Sequence, residues 1–447
     1  MNKWQESLVQ YFSEGIKEKR NCKLGVEVEH FLTAGTSGAD LPYAGGGKLP
    51  GNDETLAGNA LPYAGAGGVR SILSRLMNYY PDAKVIRDDD FFGFVTEMFS
   101  ITLEPASQLE ISIVPLESVS EIGSVYRGFR RTLKEVTAGM GVSAICQGTQ
   151  PGSSVEELKL IPKRRYALMD EHFLKTGTGG GGRQMMRGTA SQQVSVDYFS
   201  EEDFRKKMQA AYCFGPILKL LEDNAPCFEG RKVSRRLLRT DIWRRVDPAR
   251  CGIVPGVFSE MFGFADYASF IGAMPPIFIK KDGEILPTGF RTVAELYEGT
   301  APERDEIEHL LSMAFPDVRL KQFLEIRFAD SVPYPFMLAY CALIKGLIYS
   351  GEGTEWAGEL IRRRNLTEAS VTEAEDSLME RGWDGSVYGF PAADLSRELI
   401  ALAERNIPDE EKSLLDPLRD VIRYGGISRI PRALNSYNML SGRSVTL

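Results

Sequence analysis

The sequence predicts an α+β protein in which an antiparallel sheet packs one face on helices and keeps the other as a polar cleft. Two observations predict it. Four separated stretches, residues 23–31, 101–114, 189–198 and 323–330, alternate apolar and polar side chains with the period of two of a half-buried strand. The segments around them carry the apolar stripe of amphipathic helices. Strands with one apolar and one polar face are satisfied by antiparallel pairing, with the apolar side on helices.

The chain opens on a helical pattern, with Trp4, Leu8, Tyr11, Phe12 and Ile16 on one stripe. In the first strand, KLGVEVEHF, Leu24, Val26 and Val28 share one face, and Glu27 and Glu29 share the other. Residues 35–68 are rich in glycine, contain LPYAGGG and its echo LPYAGAG, and read as a long loop, either an active-site lid or an insertion. Residues 71–80 read as a helix. In the second strand, ITLEPASQLEISIV, Thr102, Glu104, Gln108, Glu110 and Ser112 take the polar parity, and Pro105 breaks the strand or places it at a bend.

A helix over 117–137 and a short strand over 143–148 follow. KTGTGGGGR at 175–183 reads as a glycine loop, either simply flexible or in contact with a phosphate, although it matches neither the Walker A nor the Rossmann fingerprint. The third strand, TASQQVSVDY, puts Gln193, Ser195 and Asp197 on one face. Ser200 and Asp203 then form the capping box of a helix running to about residue 222. Residues 232–245 are strongly basic, as a solvated face or an anion-holding patch. The fourth strand, FLEIRFAD, places Glu325 and Arg327 together. The rest is mostly helical, with breaks near 351–353, 384–391 and 425–431. A catalytic part over 1–350 and a helical part over 351–447 packed on it are the expected domains.

Bulk properties narrow the function. Among 447 residues, 53 basic side chains against 61 acidic ones give a net charge of −8, which disfavours nucleic acid or anionic membrane as partner. Six cysteines without CxxC pairing fit a reducing compartment. The N-terminus lacks the apolar core of a signal peptide, and the most apolar run, 335–344, is too short to span a bilayer. A cytoplasmic protein, monomer or homodimer, is expected. His30, His172 and His309 suggest no zinc site, since His30 points away from Glu27 and Glu29.

If the four strands are neighbours, Glu27, Glu29, Glu104, Glu110, Glu325 and Gln193 crowd one face. Two unit charges at ~4 Å repel by ~4 kcal/mol even at an effective dielectric of 20. Five carboxylates therefore need cations, and oxygen-only ligands suit two or three Mg²⁺ brought with a nucleotide triphosphate. Arg165, Arg187, Arg239 and Arg327 are available for phosphate or carboxylate groups.

These blocks resemble the glutamate–cysteine ligases of plants and many proteobacteria. GVEVEHF, TLEPASQLEIS, PKRRYALM, QMMRGTASQQVSVDYF, LRTDIWRRVDPARCGIVPGVF and RLKQFLEIRFAD occur in that family's order over about residues 23–349. The resemblance implies a glutamine-synthetase-like curved antiparallel sheet with helices on its outer face. It implies an ATP- and Mg²⁺-dependent ligase joining glutamate to an amine through a γ-glutamyl phosphate. By position, Glu27, Glu29, Glu110 and Glu325 become metal ligands, with Glu104 joining them. Gln193 becomes a metal, substrate or ATP ligand. Arg239, Arg187 and Arg165 face the substrates, and Arg327 faces the transferring phosphoryl group. Gly188, Asp241 and residues 331–335 depart from the family pattern, which leaves cysteine and another amine both open as acceptor. A nucleotide- or amino-acid-binding regulatory relative is the reading from another class.

Overall fold

A computed structural model describes residues 1–18, 21–34, 58–87, 90–177, 179–281 and 284–431. Most of the glycine-rich stretch, 35–57 with LPYAGGG, lies outside them, as do residues 432–447. One antiparallel sheet organises the described residues. Its main path is formed by β1 (Leu24–Ala34), β2 (Lys84–Arg87), β3 (Phe91–Val95), β4 (Phe99–Leu103), β5 (Leu109–Leu116), β6 (Ser191–Val196), β7 (Val318–Leu320) and β8 (Leu324–Asp330). The spatial order is β7-β8-β6-β1-β5-β4-β3-β2. The short strands Asn59–Ala60 and Val142–Ile145 pair with the far end of β1.

The four alternating stretches are therefore side by side. Glu29 stands opposite Glu110, Glu27 opposite Gln193, and Glu325 opposite Ser195. The second stretch is two strands: Pro105 falls in the turn between β4 and β5, where Ser107 N donates to Glu104 O at 3.0 Å. Glu104 thus reaches the polar face from a hairpin turn.

The other parity is the core. Val26, Val28, Ile111, Val194, Val196 and Ile326 are buried against the helices Val119–Thr137, Glu201–Leu221 and Tyr334–Ile348. Ser200 Oγ caps the helix as expected by accepting from Asp203 N, but Asp203 Oδ2 accepts from Phe199 N, one residue before the cap, so the full capping box is not formed. Residues 335–344 lie in the buried 334–348 helix, and among the described residues no helix is long and apolar enough to cross a membrane. The C-terminal helices Gly351–Arg364, Glu368–Arg381 and Ala392–Arg405 pack on the 201–221 helix, sharing one apolar cluster with the sheet. The break expected near 351–353 falls at 349–350, between the 334–348 helix and a helix that begins at Gly351 and is capped by Ser350. All six cysteines are free.

The glycine loop expected over 175–183 is corrected. Gly179–Gly188 is a helix, and Gly181 and Gly182 serve close packing. A Cβ on Gly181 would stand 2.2 Å from the backbone oxygen of Arg245, and one on Gly182 would stand 2.5 Å from the Phe173 ring. Alanine gains up to ~1 kcal/mol over glycine in a helix, but overpacking costs ~1–3 kcal/mol. The contact at Gly181 is with backbone, which yields little, so Gly181→Ala is expected to lower the urea midpoint despite its better helix propensity.

Candidate active site

The polar face of the sheet opens into a cleft of about 330 Å³, the size of a small-molecule site. Glu27, Glu29, Glu110 and Gln193 rise from the strands and Glu104 enters from the β4–β5 turn. Cations come from both sides. Lys163 and Arg165 stand where the Arg164–Lys175 helix begins, while Arg239 projects from the Leu238–Arg244 helix and Arg319 and Arg327 from the sheet edge.

The carboxylates repel and are short of water. Burial first, then Glu110 and Glu325, pushes Glu27 up to about 8. Burial, then Glu104 and Glu29, pushes Glu110 up to about 8, against donation from Thr102 and Ser112 hydroxyls at 2.9 and 3.1 Å. Burial, then Glu29, raises Glu104 to about 7. Glu29 is also raised by burial, although Arg239 and donation from Ser191 N (2.8 Å) and Oγ (3.0 Å) oppose it. No hydrogen bond or ion pair reaches the Glu27 carboxylate among the described residues.

Glu325 behaves oppositely. Burial would raise it, yet Arg319, Lys321 and Arg327 hold it well below the usual carboxylate range. Its oxygens meet Arg319 Nη2 at 2.6 Å, Arg327 Nη1 at 2.9 Å and Lys321 Nζ at 3.1 Å. It is 0% exposed and lies beneath the cleft. The expected metal ligand is thus placed as the anchor of the arginines. Arg327 Nη1 also donates to Gln193 Oε1.

The expected ions can be tested on the donor set. Glu27, Glu29, Glu104 and Glu110 offer only oxygen, which suits a hard divalent cation. Among the described residues, however, no three His, Cys, Asp or Glu side chains stand close enough to share one ion as placed. Joint coordination would require these side chains to turn toward one another. Among the cleft-lining residues, three buried donors lack an acceptor within the described residues: Arg165 Nε, Arg239 Nε and Trp243 Nε1. Buried donors rarely go unmet. Together with the carboxylates, they suit a ligand carrying both anionic groups and a cation.

A pH dependence follows from the raised carboxylates. Between the unfolded value near 4.5 and the folded values near 7 and 8, the folded state holds more protons than the unfolded state. Stability contributed by the protonated cluster is therefore lost as pH rises through that window. Thermal melts with chelator are expected to fall from pH 6 to 9, with Mg²⁺ raising the midpoint more at pH 8.5 than at pH 6. An equal Mg²⁺ effect at both values would contradict this.

Other expected residues are placed as follows. Arg165 lines the cleft, with Nη2 donating to Ser312 O at 2.9 Å. Arg239 lines it too, its Nη1 donating to Arg327 O at 3.2 Å. Arg187 is a correction: it is 7% exposed, pairs with Asp170 at 2.8 Å, donates to Leu158 O, and does not line the cleft. The basic run 232–245 is divided among ion pairs, Arg235 with Asp241, Arg236 with Asp223 and Arg244 with Glu375, leaving Arg239 for the cleft.

Gly188 and Asp241 also lie outside the lining. A Cβ on Gly188 would meet Phe228 at 3.0 Å, and Asp241 pairs with Arg235 and Arg245. Ser331 donates to the Glu29 backbone oxygen from beneath. His30 is buried behind the sheet, with ring nitrogens on Leu109 O and Tyr126 Oη.

Sequence reasoning missed Lys163, Arg319 and Trp243. Trp243 had a signal, one helical turn after Arg239. Lys163 shares the basic PKRR run with Arg165. Arg319 had none, since its place opposite Glu325 comes from β7–β8 pairing.

The fold is that of a glutamate–cysteine-ligase-type enzyme. The chain belongs to glutamate–cysteine ligase family 2, whose model matches residues 48–436. It is 28% identical over 461 residues to glutamate–cysteine ligase A, chloroplastic, of Oryza sativa subsp. indica, covering 99% of this chain and 86% of that one. It is 26% identical to the chloroplastic glutamate–cysteine ligase of Arabidopsis thaliana, covering 99% and 81%. Those names give the cytoplasmic expectation no support. The fold is similar to that of a Francisella tularensis glutamate–cysteine ligase solved in complex with AMP, with a TM-score of 0.51, 11% identity and coverage of 93% and 84%.

Proposed function

We propose that this chain joins glutamate to cysteine, using ATP to activate the γ-carboxylate as a γ-glutamyl phosphate. One observation carries the reading: in a single cleft, four crowded carboxylates face arginine and indole donors with no acceptor of their own. Such a lining fits a substrate pair bearing phosphates and carboxylates. The relatives' names supply the amino acids. Cysteine is favoured over another amine because two departures from the family pattern, Gly188 and Asp241, lie outside the cleft lining.

Bound Mg²⁺ would neutralise phosphate charge, held by Glu27, Glu29, Glu104 and Glu110. Glu325 keeps Arg319 and Arg327 pointed at the cleft, where their fixed guanidinium groups stabilise charge on the transferring phosphoryl group. Gln193 restrains Arg327 from the neighbouring strand. Arg239 receives the α-carboxylate of glutamate in a planar, two-pronged contact that lysine cannot reproduce. Lys163 and Arg165 provide a second cationic site across the acids for the remaining phosphates. The reaction divides into two balanced steps. A γ-carboxylate oxygen attacks the γ-phosphorus and releases ADP. The cysteine amine then attacks the acyl carbon, releases phosphate and gives up a proton.

The test is ADP release from Mg·ATP with glutamate, with and without cysteine, and mass measurement of the product. Formation of γ-glutamylcysteine that requires both amino acids supports the reading. ATP turnover indifferent to glutamate overturns it.

A further inference from the structure

The helices after residue 350 reach the cleft wall through one buried carboxylate. Glu375, on the Glu368–Arg381 helix, is 3% exposed. Its Oε1 accepts from Lys219 Nζ at 2.6 Å and its Oε2 from Arg244 Nη2 at 2.6 Å. Neither cation belongs to the C-terminal helices. Lys219 lies in the last turn of the 201–221 helix, and Arg244 ends the 238–244 helix that carries Arg239 and Trp243.

Both arms lead to the cleft. Lys219 continues to Asp317 Oδ2 at 2.7 Å, and Asp317 O accepts from the backbone N of Arg327 at 3.0 Å. Arg244 adjoins Trp243, whose ring lies 5.5 Å from the Arg239 guanidinium and 5.8 Å from that of Arg327. A small side cavity touched by Lys219, Asp317, Arg239, Trp243 and Arg327 separates this clamp from the cleft.

We infer that Glu375 is a positioning residue that sets the Arg239–Trp243–Arg327 wall, and with it the affinity for the carboxylate substrate held there. Naming glutamate as that substrate rests on the proposed function. The physical reason lies in the sharing. Arg244 has a second partner, Asp376, and Lys219 keeps Asp317, so neutralising Glu375 strands neither cation. What is lost is a buried carboxylate that bridges the 201–221 and 238–244 helices. Asp376, with its side chain 54% exposed, is screened and cannot replace it.

The experiment compares Glu375→Gln, Glu375→Asp and Asp376→Asn in steady-state kinetics with glutamate, cysteine and Mg·ATP. Glu375→Gln is expected to raise the glutamate KM about tenfold, with kcat within about threefold and the ATP KM within about twofold. Glu375→Asp recovers part of this, and Asp376→Asn stays within about twofold of wild type. An unchanged glutamate KM, or an equal loss in kcat and both KM values, overturns the inference. Should the Gln variant not fold, the Asp variant carries the same comparison, with its glutamate KM raised alone.

A wild type that does not turn over glutamate defeats the ligase reading separately. The inference is then decided by amide exchange in the protein without substrates. Faster exchange at 238–244 with 24–34 unchanged supports it, and unchanged exchange at 238–244 overturns it.

Discussion

Glu27→Gln is expected to lower kcat by about 10²–10³-fold while leaving the fold intact, on the scale of losing one preorganised charge at a reacting centre. Glu27 lines the cleft opposite Gln193 on the next strand, and no side chain of the described residues forms an ion pair with it. An amide of the same shape removes the charge that would hold a cation. Without a bound cation Glu27, pushed up to about 8, is mostly protonated at neutral pH, so the uncharged amide is expected to melt no lower than wild type there. Circular dichroism melts and steady-state rates at saturating Mg²⁺ check both halves. Near-native turnover would remove Glu27 from the cation site.

Glu325→Gln is expected to behave differently, losing stability and activity together. Its carboxylate is fully buried and neutralises Arg319, Lys321 and Arg327. Removing one partner of a buried ion pair typically costs ~3–5 kcal/mol, because the remaining charges stay buried without compensation. Arg319 and Arg327 repel each other once Glu325 is neutral, so the phosphate-facing pair loses its aim. A chemical-denaturation midpoint clearly below that of Glu27→Gln is the expected signature. Equal midpoints for the two variants would return Glu325 to the role of a simple cleft carboxylate.

The contrast between these two glutamates marks how far the sequence can be read. Period-two alternation is a local property, so the faces bearing Glu27, Glu29, Glu110, Gln193 and Glu325 were legible residue by residue. Their union on neighbouring strands followed because one apolar parity must find a common core. What each carboxylate meets is not local. Glu325 faces Arg319 through strand pairing, and Arg187 is taken by Asp170 on the preceding helix. Pairings of this kind decide which charges remain available to a ligand.

Composition misled in two places for physical reasons. The run GGGG reads as a loop because glycine is a poor helix former, yet at Gly181 the absence of a Cβ is what admits the Arg245 backbone. The basic run 232–245 reads as one patch, but its arginines are spread from the loop before the 238–244 helix to the residue after it, and they find different acids. The family resemblance added the reaction, which no alternation pattern contains. It also drew attention to Gly188 and Asp241, which lie outside the cleft lining.

The central claim is that a glutamate carboxylate oxygen attacks ATP in this cleft before the amine arrives. Glutamate labelled with ¹⁸O in its γ-carboxylate tests it most directly, with Mg·ATP and cysteine present and the released phosphate analysed by mass. A γ-glutamyl phosphate intermediate transfers one labelled oxygen to phosphate for each γ-glutamylcysteine formed. Product accompanied by unlabelled phosphate would contradict the account.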